Sequence, residues 1–404
     1  MLLSLAVIFL VGLSSASIFR LLKLPGIIGL LATGIIVGSY VLDLLDPSIL
    51  QISSELRQIA LIIILIKAGL TLNLSDLKKV GRPAVLMAFL PACFEIAGYL
   101  CFAPLLLGIT RMESAVMGAV LSAVSPAVVV PRMINLIENQ FGTKKSIPQM
   151  ILAGASCDDI FVIVLFSTFV TMAQGGTAHV RDFLNIPVSV ILGILLGILA
   201  GFILHAVFET AYQHQHKIRN SMKIIILLAV AFLLLSMETW LKNNHIALSG
   251  LLAVVAMSCM IRLKSEPCVA KRLSEKCGKL WIAAEILLFV LVGAAVDIRY
   301  MLDAGIAAIA MIIIALAFRT FGVWICMTGT DLTIKERLFC VIAYLPKATV
   351  QAAIGSVPLS LGVPCGNSIL SVAVLAILLT APLGAIGIDN SYQKLLSQDH
   401  PEKS

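Results

Sequence analysis

The sequence predicts an all-α polytopic membrane protein of about 13 transmembrane helices, built as an inverted-topology repeat with two broken helices. Three observations predict it. The chain is 60% hydrophobic and only 13% charged, whereas soluble domains carry roughly 25% charged residues. Its apolar runs reach the roughly 20 residues that a membrane helix needs, without the alternation of a β-barrel strand. Short patterns in the first half recur in the second at a nearly fixed offset.

The apolar segments lie at about 2–19, 25–42, 56–73, 83–107, 114–136, 147–173, 184–208, 221–238, 246–263, 279–297, 303–328, 334–360 and 366–388. The first resembles a signal peptide in length. It lacks a basic leader, however, and Arg20 and Lys23 follow it. That order describes a retained span with its N-terminus outside. Linkers are short, and the longest, 209–220 and 264–278, are basic. Loops after odd-numbered segments, with the C-terminal tail, hold 21 Lys and Arg, and loops after even-numbered segments hold 5. This asymmetry places the C-terminus in the cytoplasm. The excess of +7 is spread over these loops and does not form a nucleic-acid surface. The 9 cysteines have no CxxC spacing and read as reduced packing residues.

Gly69-Leu-Thr-Leu-Asn73 aligns with Gly293-Ala-Ala-Val-Asp297. The same offset of 224 brings Glu95 onto Arg319 and Gly98 onto Gly322. Further on, Ser125-Pro126-Ala127 matches Leu345-Pro346-Lys347 at an offset of 220, which implies a small deletion in the loop between. Segments 3, 4 and 5 therefore correspond to 10, 11 and 12. The separation of seven segments is odd, so the halves run in opposite directions across the bilayer. Equivalent residues of opposite charge near such an axis predict an ion pair between Glu95 and Arg319.

Segments 5 and 12 carry mid-span prolines, Pro126 and Pro346. Proline removes an N–H and clashes with the carbonyl one turn earlier, so both helices are expected to break and expose half-helix ends. Lys347 directly follows the second proline and is expected to neutralise the freed carbonyl ends. Segment 6 holds Asp158 and Asp159 in an apolar run. Carboxylates at bilayer depth are costly and mark a functional site. Helical neighbours point about 100° apart, so one is expected to line a cavity and the other to meet a cation or helix end. A carboxylate there can hold a proton or a cation in turn. An aspartyl protease would need carboxylates on two helices, and no phosphate-binding loop of the GxxxxGK[ST] type supports a pump.

Gly154-Ala-Ser-Cys-Asp158-Asp159, Val124-Ser125-Pro126-Ala-Val-Val-Val-Pro131 and Tyr344-Leu-Pro346-Lys347-Ala-Thr-Val-Gln-Ala-Ala-Ile-Gly355 resemble motifs of the cation–proton antiporter superfamily. The sequence is similar to its NHA-type sodium/proton antiporters, the sodium/hydrogen exchanger B subfamily and bacterial relatives. The resemblance implies crossed broken helices and a homodimer in the plasma or inner membrane. It implies scaffold and dimerisation helices in 1–80 and 221–300, core helices in 81–178 and 301–390, a linker helix in 179–220 and a cytoplasmic tail in 391–404. It further implies that Asp159 is the main ion and proton carboxylate, aided by Asp158 and Ser125. Those aspartates would be the ligands of a transported Na+ or Li+, with no resident cofactor, Glu95–Arg319 would be a salt bridge, and Lys347 the lysine of the helix break. Many relatives have Thr-Asp-Pro where this chain has Val124-Ser125-Pro126, and bacterial two-aspartate members often have lysine in place of Arg319. Arginine does not release a proton in the working range, so the expectation is electroneutral exchange. The alternatives are a K+/H+ exchanger and a sodium-coupled organic-anion carrier of similar fold; an anion would be repelled by the aspartate pair.

Overall fold

In the computed structural model the described residues are 1–22, 24–71, 81–174, 180–213, 219–243, 248–297, 299 and 305–398. They form helices and one isolated β-bridge. Among the described residues each apolar segment contains helix, while 72–73 of segment 3, 246–247 of segment 9 and 303–304 of segment 11 lie outside them. Among the described residues, nine helical stretches are long and apolar enough to cross a membrane.

The chain begins with α1 (Leu2–Leu21), α2 (Gly26–Val37), the short α3 (Pro47–Gln51) and α4 (Ser53–Thr71). Segment 4 is α5 (Arg82–Met87) and α6 (Leu90–Leu107), and segment 5 is split into α7 (Arg111–Leu121) and α8 (Pro126–Glu138). Next come α9 (Ile147–Gln174), α10 (Val180–Gln213), α11 (Asn220–Asn243), α12 (Gly250–Lys264) and α13 (Pro267–Ala294). The second repeat continues with α14 (Gly305–Cys326), followed by the broken pair α15 (Ile334–Ala343) and α16 (Thr349–Gly355). The one-turn α17 (Val357–Ser360) and α18 (Gly366–Leu395) complete it.

The basic stretch 264–278 is not a loop. Helix α13 starts at Pro267, about three turns before the expected span at 279. Ala270, Leu273, Cys277 and Trp281 are buried at i, i+3, i+7 and i+11, while Lys271, Arg272 and Lys279 are exposed. One apolar stripe is enough to hold an otherwise charged helix; hydropathy averaging hides it.

The chain forms two compact units. One comprises residues 1–54, 73–162 and 289–404, and the other 55–72 and 163–288. In the second unit α12 packs along α10 and α11. Small residues allow this approach: Gly193 and Gly197 face the Ser249 and Ala253 carbonyls, and Gly69 faces Ser258.

The first unit is organised by the crossing of α6 and α14. Phe318 lies over Gly98, and Phe94 lies over Gly322. Since Phe94 is equivalent to Phe318 and Gly98 to Gly322, each helix inserts the same phenylalanine into the same notch of its counterpart. Edge contacts of Phe94 with Phe321 and of Phe102 with Phe318, at 5.4 and 5.9 Å between centroids, extend the seam. The repeat reaches further than the prolines indicate. Thr110 and Glu113 form a capping box at the start of α7, and Thr333 and Glu336 form one at the start of α15. Their offset of 223 shows that the loop loses one residue relative to 224. The second half-helices start at Pro126 and Thr349, again 223 apart, so the expected match of Pro126 with Pro346 at an offset of 220 is not the structural one. Pro126 starts the second half-helix, whereas Pro346 stands in the extended break before Thr349.

At one end of this unit α18 is fastened to the turn before α9. Arg132 pairs with Asp389 at 2.9 Å, Gly142 N–H donates to Ser397 O at 2.8 Å, and Phe141 bridges Gln398. Lys145 reaches the capping-box carboxylate of Glu336 at 2.8 Å.

The α6–α14 seam gives a stability prediction. A Cβ on Gly322 would stand 2.9 Å from the Pro91 backbone, which cannot swing aside, while one on Gly98 would meet only the Phe318 side chain at 3.2 Å. Gly322→Ala should therefore destabilise by about 1–3 kcal/mol and Gly98→Ala by less, read as the melting temperature of the detergent-solubilised protein.

Candidate ion-binding site

Each broken helix supplies a carbonyl end and an amide end near the middle of the first unit. Residues 122–125 separate α7 from α8, and 344–348 separate α15 from α16. The breaks touch directly, with Ser125 N–H donating to Pro346 O at 2.8 Å. Free backbone groups in such a place must find partners, and the side chains around the crossing supply them.

Arg319 of α14 serves the carbonyl ends. Its Nε donates to Tyr344 O at 2.7 Å, and its Nη1 donates to Ser122 O. The same guanidinium binds Glu95 Oε2 and Asp158 Oδ2, both at 3.0 Å. Asp158 Oδ2 in turn accepts the Val124 N–H at 2.8 Å, so this carboxylate caps the amide end of the first break. Lys347 does not face the carbonyl ends. Its Nζ lies 2.7 and 2.9 Å from the two Glu95 oxygens. A guanidinium has five donors in a fixed fork and can satisfy two carbonyls together with two carboxylates, whereas an ammonium is a compact charge best met by one carboxylate.

The second break repeats the arrangement without charge. Lys347 N–H donates to Thr380 Oγ1 of α18 at 3.0 Å. Val124 and Lys347 are 223 residues apart, and Asp158 and Thr380 are 222 apart, so the hydroxyl of Thr380 takes the place that the carboxylate of Asp158 holds in the first repeat.

All four network residues are buried: Glu95, Asp158 and Arg319 are 0% exposed and Lys347 is 1%. Asp159, 9% exposed, forms no ion pair among the described residues. Its Oδ1 and the Ser125 Oγ are buried without hydrogen-bond partners. Buried oxygens are normally satisfied, so these are available to a cation, a proton or water. The sequence-predicted residues thus gather at one crossing. Sequence reasoning missed Thr380 and Gln351, which have no local motif, and the two capping boxes, whose T-x-x-E spacing was readable.

Comparison with known proteins adds family evidence. The sequence profile of the family "Sodium/hydrogen exchanger, transmembrane" matches residues 5–389. The chain belongs to the sodium/hydrogen exchanger family. Sodium/hydrogen exchanger 9B2 of Homo sapiens is 30% identical over 398 residues, covering 94% of this chain and 71% of the relative. Sodium/hydrogen exchanger 9B1 of Mus musculus is 32% identical over 403 residues, covering 93% and 66%. The structure of the sodium proton antiporter MjNhaP1 from Methanocaldococcus jannaschii superposes with a TM-score of 0.82 at 20% identity, covering 97% of both chains. The fold is that antiporter fold, and the chain is a multi-pass membrane protein of a transporter family, not of an enzyme class.

The network makes a double-variant prediction for this exchanger. Removing one partner of a buried pair costs about 3–5 kcal/mol. Glu95→Gln, which leaves Lys347 unpaired, should lower the melting temperature markedly. Adding Lys347→Met to Glu95→Gln should recover part of the loss, since no orphaned ammonium remains.

Proposed function

We propose that the protein is a secondary antiporter exchanging Na+ or Li+ for H+ by alternating access, with the cation and the proton competing for Asp159 beside Asp158. The observation that carries this is the charge balance of the site. Glu95, Asp158 and Asp159 stand against only Arg319 and Lys347, which leaves one negative charge on Asp159. An uncompensated carboxylate in a low-dielectric interior costs several kcal/mol. It is relieved by one proton or one monovalent cation, and Ser125 offers a neutral oxygen to a cation.

The same balance supports electroneutral exchange. The cluster is neutral with either ligand bound, so each loaded transit moves no net charge. Arg319 does not give up a proton, and the Lys347 Nζ sits on the two Glu95 oxygens. Orientation follows the basic loops, with the N-terminus outside and the C-terminus cytoplasmic in an inner or plasma membrane. In this reading the protein is a homodimer. Helices of 1–80 and 221–300 form its scaffold, those of 81–178 and 301–390 carry the site, and 179–220 links them. The residual negative charge disfavours an organic-anion substrate.

Proteoliposomes with a trapped pH dye test the reading. Addition of Na+ or Li+ should dissipate an imposed pH gradient with the wild type and leave it intact with Asp159→Asn. The apparent KM for Na+ should rise as pH falls, by up to about tenfold per unit, because each bound proton removes one cation site. Solid-supported-membrane recordings should show no sustained current; net charge movement per turnover would overturn the one-for-one stoichiometry.

A further inference from the structure

Gln351 lies in α16, 0% exposed, and reaches across to the opposite broken helix. Its Nε2 donates to Ala123 O at 2.7 Å and approaches Leu121 O at 3.4 Å. The amide orientation is fixed by chemistry, since the reverse would set Oε1 against two carbonyl oxygens. These carbonyls are freed by the end of α7, and the one between them, Ser122 O, is taken by Arg319. Gln351 and Arg319 together therefore take three successive carbonyls at the first break, those of Leu121, Ser122 and Ala123. The next residues, Val124 and Ser125, use their N–H groups on Asp158 and Pro346.

We propose that Gln351 is a positioning residue for exchange, holding the carbonyl end of the first break so that Ser125 and the aspartates keep their cation-binding geometry. This rests on the cation/proton reading above. A neutral amide suits the task because it fills two carbonyl acceptors without altering the charge balance. A carboxylate here would add a negative charge, and a lysine would cancel the one that attracts the cation. The tie also couples the halves, since α16 of the second repeat grips α7 of the first. Gly355, one turn along, lets α16 lie close to Val120 and Ala373. The charged groups around the crossing are Lys347, Glu95 from α6, Asp158 and Asp159 from α9 and Arg319 from α14. Of the helices packed on α16, α17 carries no charge, and α7 and α18 carry charges only toward their ends, at Arg111, Glu113, Asp389 and Lys394.

Gln351→Leu and Gln351→Glu are reconstituted beside the wild type and Asp159→Asn, and Na+ dependence is measured across pH. With Gln351→Leu the apparent KM for Na+ should rise roughly fivefold to tenfold at every pH with kcat within about twofold, the mark of lost binding geometry. Protonated Gln351→Glu can still donate to Ala123 O. It should stay near wild type at acidic pH and approach the leucine variant as the carboxyl ionises. A leucine variant with unchanged KM, or a glutamate variant with the wild-type pH profile, overturns the proposal. If the leucine variant does not fold, the glutamate profile decides alone. Absence of Na+-driven proton flux in the wild type would instead overturn the antiport reading itself, and this proposal with it.

Discussion

The structure depends on where the Arg319 guanidinium is held. It touches both breaks through Tyr344 O and Ser122 O and both charged partners, Glu95 and Asp158. No other standard side chain carries five donors and a permanent charge. Without it, two half-helix carbonyl ends would face each other across the crossing with two carboxylates between them. The α6–α14 seam exists to deliver it: reciprocal phenylalanine-and-glycine notches fix the register in which Arg319 meets Glu95. In the antiport reading a structural device becomes functional, because both Arg319 and Lys347 are engaged on other partners and Asp159 is left as the unmatched charge.

Much of this was legible in the sequence for a physical reason. Charges in apolar helices are rare and must meet one another, so a repeat offset placing Glu95 on Arg319 amounts to a contact prediction. A mid-span proline in each segment announced the breaks, although the two prolines do not occupy equivalent repeat positions. Hydrogen bonds between distant segments were less legible. Lys347 looked like the natural partner of the carbonyl ends because it adjoins one, but proximity in sequence does not decide between an ammonium and a guanidinium. Thr380 and Gln351 are ordinary residues in apolar helices, and only the fold shows which backbone groups they meet. The extended start of α13 was hidden because its buried stripe is narrow and its remaining faces are charged.

The two repeats share one scaffold and differ in the side chain that caps the break. In both, a helix packed beside the break offers a side-chain oxygen to a freed N–H: Asp158 to Val124 in the first, Thr380 to Lys347 in the second. With acids at both positions, the site would hold more negative charge than Arg319 and Lys347 can offset, and one added cation would not restore neutrality. With hydroxyls at both, Arg319 would lose a partner. A single acidic cap, with Asp159 beside it on the next face of the same helix, leaves a deficit of one charge. That number sets the exchange ratio, so in this reading the stoichiometry follows from how the second half departs from its inverted copy.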